Sequence, residues 1–383
     1  MIIFHVIPLA IFLYVAWRFV LPLPVGPAWK GLAALALLAI SQQHLVVRTF
    51  FGSLASPELP APVLIAVGWL FGAFILLAGL LLLRDLAAVV LLLAAKAGLS
   101  AGISVSGVGW ALGAGVAALV LSAFGVWQAV RVPDVRTLDI AIPGLPAELD
   151  GLNLVQISDL HASRLFAAPW VEAVVEKANA LDPDVILLTG DQADGPADRR
   201  ATDVAPLRGL KARHGVFAIT GNHEYYSGHA AWMAAFEDLG MRVLMNEHVV
   251  IGQNGRSLVL AGITDAAAFG FALTAPDIGA ALAGAPKDAP VVLMAHRPPG
   301  AARHAEAGVD LQLSGHTHGG QIPGIKALAR HFNEGFVSGL YAVGGMQLYV
   351  SNGTGLWPGF PLRLGSPAEI TQIVLRARAA GQG

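Results

Sequence analysis

The chain of 383 residues contains no cysteine, which excludes disulfides, thiolate metal sites and a cysteine nucleophile. Compartment stays open, because a cysteine-free protein suits either side of a membrane. Charge is scarce as well: 24 basic and 26 acidic residues form 13% of the chain and net −2. That total implies no surface for a polyanion, so nucleic acid is not an expected partner. In place of charge stand 55% hydrophobic residues and a mean hydropathy of +0.63, too apolar for an ordinary soluble chain.

The shortage of charge is concentrated at one end. Only Arg18, Lys30, Arg48, Glu58, Arg84, Asp85 and Lys96 precede Arg131, while 43 charged residues occupy the remaining 253 positions. The first region nets +3 and the rest −5. A helix needs about 20 apolar residues to cross the hydrocarbon core. Residues 61–83 and 107–130 qualify, residues 2–20 carry Arg18 near one end, and residues 31–47 are interrupted by Gln42, Gln43 and His44. These runs predict a membrane domain over 1–131 with about four transmembrane helices. Residues 86–95, bounded by Arg84, Asp85 and Lys96, are half a span long and read as an interfacial or re-entrant helix, with five spans as the alternative. Basic residues divide evenly between the two sides, so the positive-inside rule leaves the orientation of the globular part open. His44 and Arg48, one helical turn apart, read as interfacial anchors facing water.

Residues 132–150 are polar and proline-containing, as a linker leading into a first strand would be. From 151 to 376 a pattern repeats, in which a short apolar, β-branched run meets a cluster of Asp, His, Asn or Gly; residues 377–383 form a tail. The clusters are Ser158-Asp159-Leu160-His161, Gly190-Asp191, Gly221-Asn222-His223-Glu224, His296, and Gly315-His316-Thr317-His318-Gly319-Gly320-Gln321. Between the first two, Trp170, Val171, Val174, Val175 and Ala178 recur at helical spacing, and residues 230–239 form a second helix-like segment. Strands alternating with helices indicate an α/β domain, and in such sheets ligands bind beyond the carboxyl ends of the strands. All five clusters sit there. A hairpin over residues 249–261 and late strands over 348–350 and 370–375 suit two stacked sheets flanked by helices.

Asp159, His161, Asp191, Asn222, His296, His316 and His318 thus converge on one sheet edge. Carboxylate, imidazole and amide oxygen without thiolate suit Mn²⁺, Fe or Zn²⁺. Seven groups are too many for one tetrahedral site, and two metals sharing a bridging Asp use them all. Metals about 3.5–4 Å apart serve phosphate-ester hydrolysis, generating hydroxide at neutral pH and clamping the oxygens of an in-line displacement.

In order, these five clusters resemble the signature blocks of the calcineurin-like metallophosphoesterases, over about residues 135–376. The block 315–322, with Ser351-Asn-Gly-Thr-Gly and Leu362-Arg363-Leu, is similar to a bacterial subgroup with membrane-spanning N-termini and to the enzymes that cleave UDP-2,3-diacylglucosamine in lipid A synthesis. The resemblance implies a two-sheet αββα sandwich after the N-terminal transmembrane α-helical domain. It implies two divalent metal ions, the first on Asp159, His161, Asp191 and His318 and the second on Asp191, Asn222, His296 and His316, with Asp191 bridging. It also makes His223 catalytic, protonating the leaving oxygen or stabilising the transition state. Asp194 or Glu224 would orient an imidazole. Gly319, Gly320, Gln321 and Arg363 are the substrate-binding candidates and Trp357 and Phe360 cleft-lining ones; a tight turn and plain packing are the alternatives. Two departures stand out: Gln192 follows Asp191 where an apolar residue is common, and Arg297 follows His296 where Pro-Asp is common.

One such cluster alone would be a core histidine or a capping aspartate; five in family order outweigh that reading. The expectation is a membrane-bound dinuclear-metal phosphoesterase cleaving a phosphodiester or pyrophosphate bond of a lipid-linked substrate. Its partners would be the bilayer and a phospholipid or nucleotide-linked lipid, and its place the bacterial inner (plasma) membrane as a multi-pass protein. The alternative is a non-catalytic regulatory or scaffolding protein with a vestigial metal site, against which no ligand is missing.

Overall fold

The computed structural model describes residues 3–53, 55–99, 107–253 and 255–377, so all of the expected tail except residue 377 lies outside the described residues. The chain forms two compact units, Met1–Gln128 with Pro358–Leu362, and Ala129–Trp357 with Arg363–Gly383.

The first unit is helical. α1 (Ile3–Val15) ends in a π-turn at Ala16–Val20; α2 (Pro27–Ser41), α3 (Gln43–Phe50), α4 (Ala61–Lys96) and α5 (Val108–Val130) follow. α4 and α5 are long and apolar enough to cross a membrane, and α2 with α3, bent by 57°, is a third if counted as one span. That bend falls at Gln42, where the apolar run breaks. Residues 86–95 are not a separate interfacial helix, because α4 continues through them to Lys96. Asp85 accepts hydrogen bonds from Arg18 Nε (2.8 Å), Arg84 Nε (2.9 Å) and Tyr14 Oη (2.9 Å). With its charge matched in this way, the Arg84-Asp85 step stays helical. Nor does His44 face water: it is 5% exposed, with Nε2 2.8 Å from the Gly359 carbonyl and its ring 5.0 Å from Phe71. Phe71 in turn meets Phe360 at 5.7 Å, so Phe360 packs among the helices of this unit.

Among the described residues the second unit holds twelve strands: β1 (Asp134–Ile142), β2 (Asn153–Ile157), β3 (Val185–Thr189), β4 (Val216–Ile219), β5 (Arg242–Val243), β6 (Glu247–Gln253), β7 (Arg256–Gly262), β8 (Val291–Met294), β9 (Leu311–Ser314), β10 (Gly339–Val343), β11 (Met346–Val350) and β12 (Glu369–Ala377). They make two mixed six-stranded sheets, ordered β1-β12-β2-β3-β4-β5 and β10-β11-β9-β8-β7-β6. β2 through β5 run parallel, as do β7, β8, β9 and β11. Helices α6 (Ala168–Asn179), α7 (Ala197–Val204), α8 (Asn222–Tyr226) and α9 (His229–Asp238) come from the first half of the unit. α10 (Ile278–Ala281), α11 (Ala301–Glu306) and α12 (Pro323–Phe332) come from the second.

Side chains alternate across a strand with period two, and the core follows that rule. In β3, Val185 and Leu187 enter the layer between the sheets with Leu154, Phe217, Leu313 and Tyr349. Ile186 and Leu188 pack outward with Val171, Val174, Trp232 and Phe236 of α6 and α9. In β8, Val292 and Met294 face the same inner layer, while Val291 and Leu293 face a third cluster on the far side. A fully buried glutamine ties the layers: Gln156 Nε2 donates to Thr189 Oγ1 (2.9 Å) and to the Ser314 carbonyl (3.2 Å), joining β2 to β3 and to β9 just before all three end. Leu187→Ala, which empties a fully buried site in this inner layer, is expected to cost about 2–5 kcal/mol, read as a lower thermal midpoint of the detergent-purified protein.

Candidate metal centre

β2, β3, β4, β8 and β9 each end within three residues of a metal-binding candidate. At those ends the backbone turns sharply, and Asp159 (φ 52°), His161 (50°), Asp191 (55°), His316 (66°) and His318 (49°) all adopt left-handed conformations. Residues with a Cβ rarely do so, and such strain collects at functional sites. Two glycines make the close approach possible. A Cβ at Gly221 would stand 2.2 Å from Asp191 Oδ1, and one at Gly315 2.0 Å from Ser158 Oγ and 2.1 Å from Asp159 Oδ2.

The turns bring six of the seven candidates together, in two groups. Ligand atoms of Asp159, His161 and His318 lie within 4.8 Å of one another, as do those of Asp191, His296 and His316. Within the first group His318 Nε2 is 3.3 Å from His161 Nε2 and 3.6 Å from Asp159 Oδ1. Asp191 Oδ2 joins the groups, 3.2 Å from His296 Nε2 and 3.9 Å from His161 Nε2. Asn222 Oδ1 and His296 Nε2 are buried without a hydrogen-bond partner among the described residues. A buried acceptor left unpaired is costly, and a cation is what this amide oxygen and these imidazoles lack. The donor set therefore fits divalent metal ions.

The ligand imidazoles divide in charge: burial opposes protonation of His296, but Asp191 prevails and raises it to about 10, while His316 and His318 are held neutral. Burial, reinforced by the His296 and Arg297 cations, holds the His316 imidazole well below its ordinary value. Burial does the same for His318, so both offer neutral lone pairs. Burial pushes the Asp159 carboxyl up, against the pull of His296. For Asp191 the neighbouring His296 and His223 outweigh burial and keep it well below the usual carboxylate range.

Surrounding residues aim these groups. Asp194 accepts from His161 Nδ1 at 3.1 Å and from His223 Nδ1, turning both Nε2 atoms inward; His223 Nε2 lies 3.9 Å from Asp191 Oδ2. Burial opposes protonation of His223, but Asp191 and Asp194 prevail and raise it to about 9. His296 Nδ1 is 2.8 Å from the Thr189 carbonyl. Glu224 accepts from the backbone nitrogens of Gly221 (2.7 Å), Gln192 (2.7 Å) and Asp191 (3.1 Å), so it braces the loops while Asp194 orients the imidazoles. Gln192 Nε2 donates to the Gly190 carbonyl at 2.8 Å.

The remaining candidates sit differently. Arg363 is 1% exposed; Nη1 donates to the His318 and Ser366 carbonyls, and Nη2 to those of Asn352 and Gly355. It fixes the His318 turn. Gly319 and Gly320 are buried, and a Cβ on them would stand 2.3 Å from Asn352 Oδ1 and from Lys326 Cα. Gln321 is partly exposed. A pair that sequence reasoning passed over is Arg297 with Asp265, whose Nε–Oδ2 distance is 2.9 Å. Asp265 lies three residues beyond β7, the strand-then-aspartate pattern of the first two clusters but without a His or Gly beside it. Asp194→Asn, which weakens the hold on His161 and His223, is expected to lower metal affinity about 10–100-fold with an unchanged circular-dichroism spectrum, measured by chelator competition.

The profile of the calcineurin-like phosphoesterases matches residues 152–320. The chain is 38% identical, over 67% of its length, to a bovine transmembrane protein with a metallophosphoesterase domain. It spans about 60% of the length of that protein and of its zebrafish counterpart. It is 31% identical to an uncharacterized metallophosphoesterase of Campylobacter jejuni, over 68% of this chain and 69% of that one. Identity to the uncharacterized metallophosphoesterase YkuE of Bacillus subtilis is 30%, over 61% of this chain and 82% of that one. Matched by that profile and by these relatives, the chain belongs to the calcineurin-like metallophosphoesterase family.

Proposed function

We propose that this protein is a metal-dependent phosphodiesterase or pyrophosphatase acting at a membrane on a lipid-linked phosphate. The observation that carries the reading is Asp191 Oδ2 standing between two groups of buried ligands. When bound, two divalent cations supply Lewis acidity and a hydroxide nucleophile at neutral pH. The chain's own residues do the positioning. Asp194 holds the His223 imidazole at the rim, where its side chain is 13% exposed, placed to give a proton to the departing oxygen.

A lipid-linked substrate is supported by two features. α4 and α5 are long and apolar enough to anchor the chain in a bilayer. α12, which begins three residues after the His318–Gly320 turn, has no buried residue and exposes Leu328 (57%) and Phe332 (71%). Its charged side chains are the basic Lys326 and Arg330, the composition of a helix that lies on an anionic lipid surface. Within this class UDP-2,3-diacylglucosamine is the named candidate, which would put the catalytic unit on the cytoplasmic side of a bacterial inner membrane.

The test is Mn²⁺-dependent cleavage by the detergent-solubilised full-length protein, with UDP-2,3-diacylglucosamine and a nitrophenyl phosphodiester side by side. Asp191→Asn is expected to abolish cleavage of both, and hydrolysis unchanged in that variant would overturn the reading. Release of UMP by the wild type supports the named substrate, whereas cleavage of the generic diester alone redirects the search to other lipid phosphates. His223→Ala is expected to lower kcat about 10²–10⁴-fold with metal content retained, measured by steady-state kinetics beside elemental analysis.

A further inference from the structure

On the His296 side of the centre, the second unit encloses a cavity of about 290 Å³ walled in part by Asp265, Phe269, His296, Arg297, Arg303 and Glu334. Of its lining residues His296 belongs to a metal group, and the guanidinium groups of Arg297 and Arg303 stand in the wall. Arg297 is oriented through one edge only, Nε donating to Asp265 Oδ2 (2.9 Å) and Oδ1 (3.2 Å). Asp265 is itself fixed by accepting the Ala267 backbone nitrogen at 2.7 Å. The Nη1 and Nη2 groups of Arg297 have no hydrogen-bond partner among the described residues, and the side chain is 31% exposed. Arg303 is exposed, and its Nη2 stands over Gly300, 3.3 Å from where a Cβ would be. It has no ion-pair partner among the described residues. Of the two wall carboxylates, Asp265 is committed to Arg297, and Glu334 accepts the Gly300 nitrogen at 3.1 Å.

An arginine steadied by a carboxylate through Nε presents its two Nη groups as a planar fork, the geometry that matches phosphate oxygens. A cation with a free fork beside a phosphoesterase centre calls for an anion. The cavity has room for a phosphoryl group and part of whatever it carries, and Phe269, 71% exposed, offers a ring to that remainder.

We propose that this cavity is a subsite for a second phosphoryl group, held by Arg297 with help from Arg303, so that the substrate is diphosphate-linked and is cleaved with one phosphorus at the metal centre and its neighbour on Arg297. The inference rests on the hydrolase reading above and narrows its substrate class. It gives the residue that departs from the family pattern after His296 a task in selection.

The test uses the metal-loaded full-length protein in detergent and two uncleavable anions, a P1,P2-dialkyl methylenediphosphonate and a dialkyl phosphate. Each is measured by calorimetric Kd and as an inhibitor of nitrophenyl diester hydrolysis. Wild type is expected to bind the diphosphonate about tenfold or more tighter than the monophosphate. Arg297→Ala should erase that preference, losing about tenfold or more in diphosphonate affinity, the range of one charged hydrogen bond. Arg303→Ala should lose less, and Arg297→Lys should not restore the preference because it lacks the fork. Arg297→Gln, closer in size, gives the same reading if the alanine variant does not fold. Equal weakening toward both anions would reduce Arg297 to a structural ion pair with Asp265 and overturn the proposal. So would a wild type with no preference. A wild type that cleaves the diester without preferring the diphosphonate sinks only the subsite; one that cleaves nothing and binds neither anion sinks the hydrolase reading itself.

Discussion

Two carboxylates, Asp159 and Asp191, are buried at the ends of adjacent parallel strands, within reach of four buried or half-buried imidazoles. Taking two like charges out of water together is expensive unless positive charge is built in beside them. The rest of the catalytic unit serves that constraint. The left-handed turns aim the side chains at a common centre, Gly221 and Gly315 clear the space for the loops to meet, and Gln156 pins the strands just behind them. Asn222 adds an amide oxygen that has no hydrogen-bond partner among the described residues.

The sandwich turns this local strain into a stable site. Alternation in β3 and β8 fills one layer between the sheets and two layers outside them, so the strand ends are held from three sides. Asp194 and Glu224 then divide the work of support, one gripping imidazoles and the other gripping backbone. A misplaced ligand would break one of these contacts, which is why the same few residues serve both folding and chemistry.

How much of this was legible in the sequence depends on how local each signal is. The five clusters were readable because each is a strand followed at once by its polar turn, and 107–130 because a long uncharged run has one reading. The split of α4 at Arg84-Asp85 was misread, since charge in an apolar run marks an edge unless a distant partner cancels it. Arg18 and Tyr14, 67 and 71 residues away, are such partners. His44 shows the same limit, its partner Gly359 lying 315 residues along the chain. The burial of Arg363 among four carbonyls was equally hidden, because nothing near it in sequence names them. Asp265 follows its strand in the same way as Asp159 and Asp191, but no neighbouring histidine or glycine marks it in the sequence.

The central claim is that Asp191 is shared by two metal ions held in one buried site. Electron paramagnetic resonance of the full-length protein titrated with Mn²⁺ tests it most directly, because a shared carboxylate couples the two spins. The account predicts saturation at two Mn²⁺ per chain with an exchange-coupled spectrum that collapses to uncoupled Mn²⁺ in Asp191→Asn. Saturation at one ion or fewer per chain, or two ions with uncoupled spectra in the wild type, would contradict it.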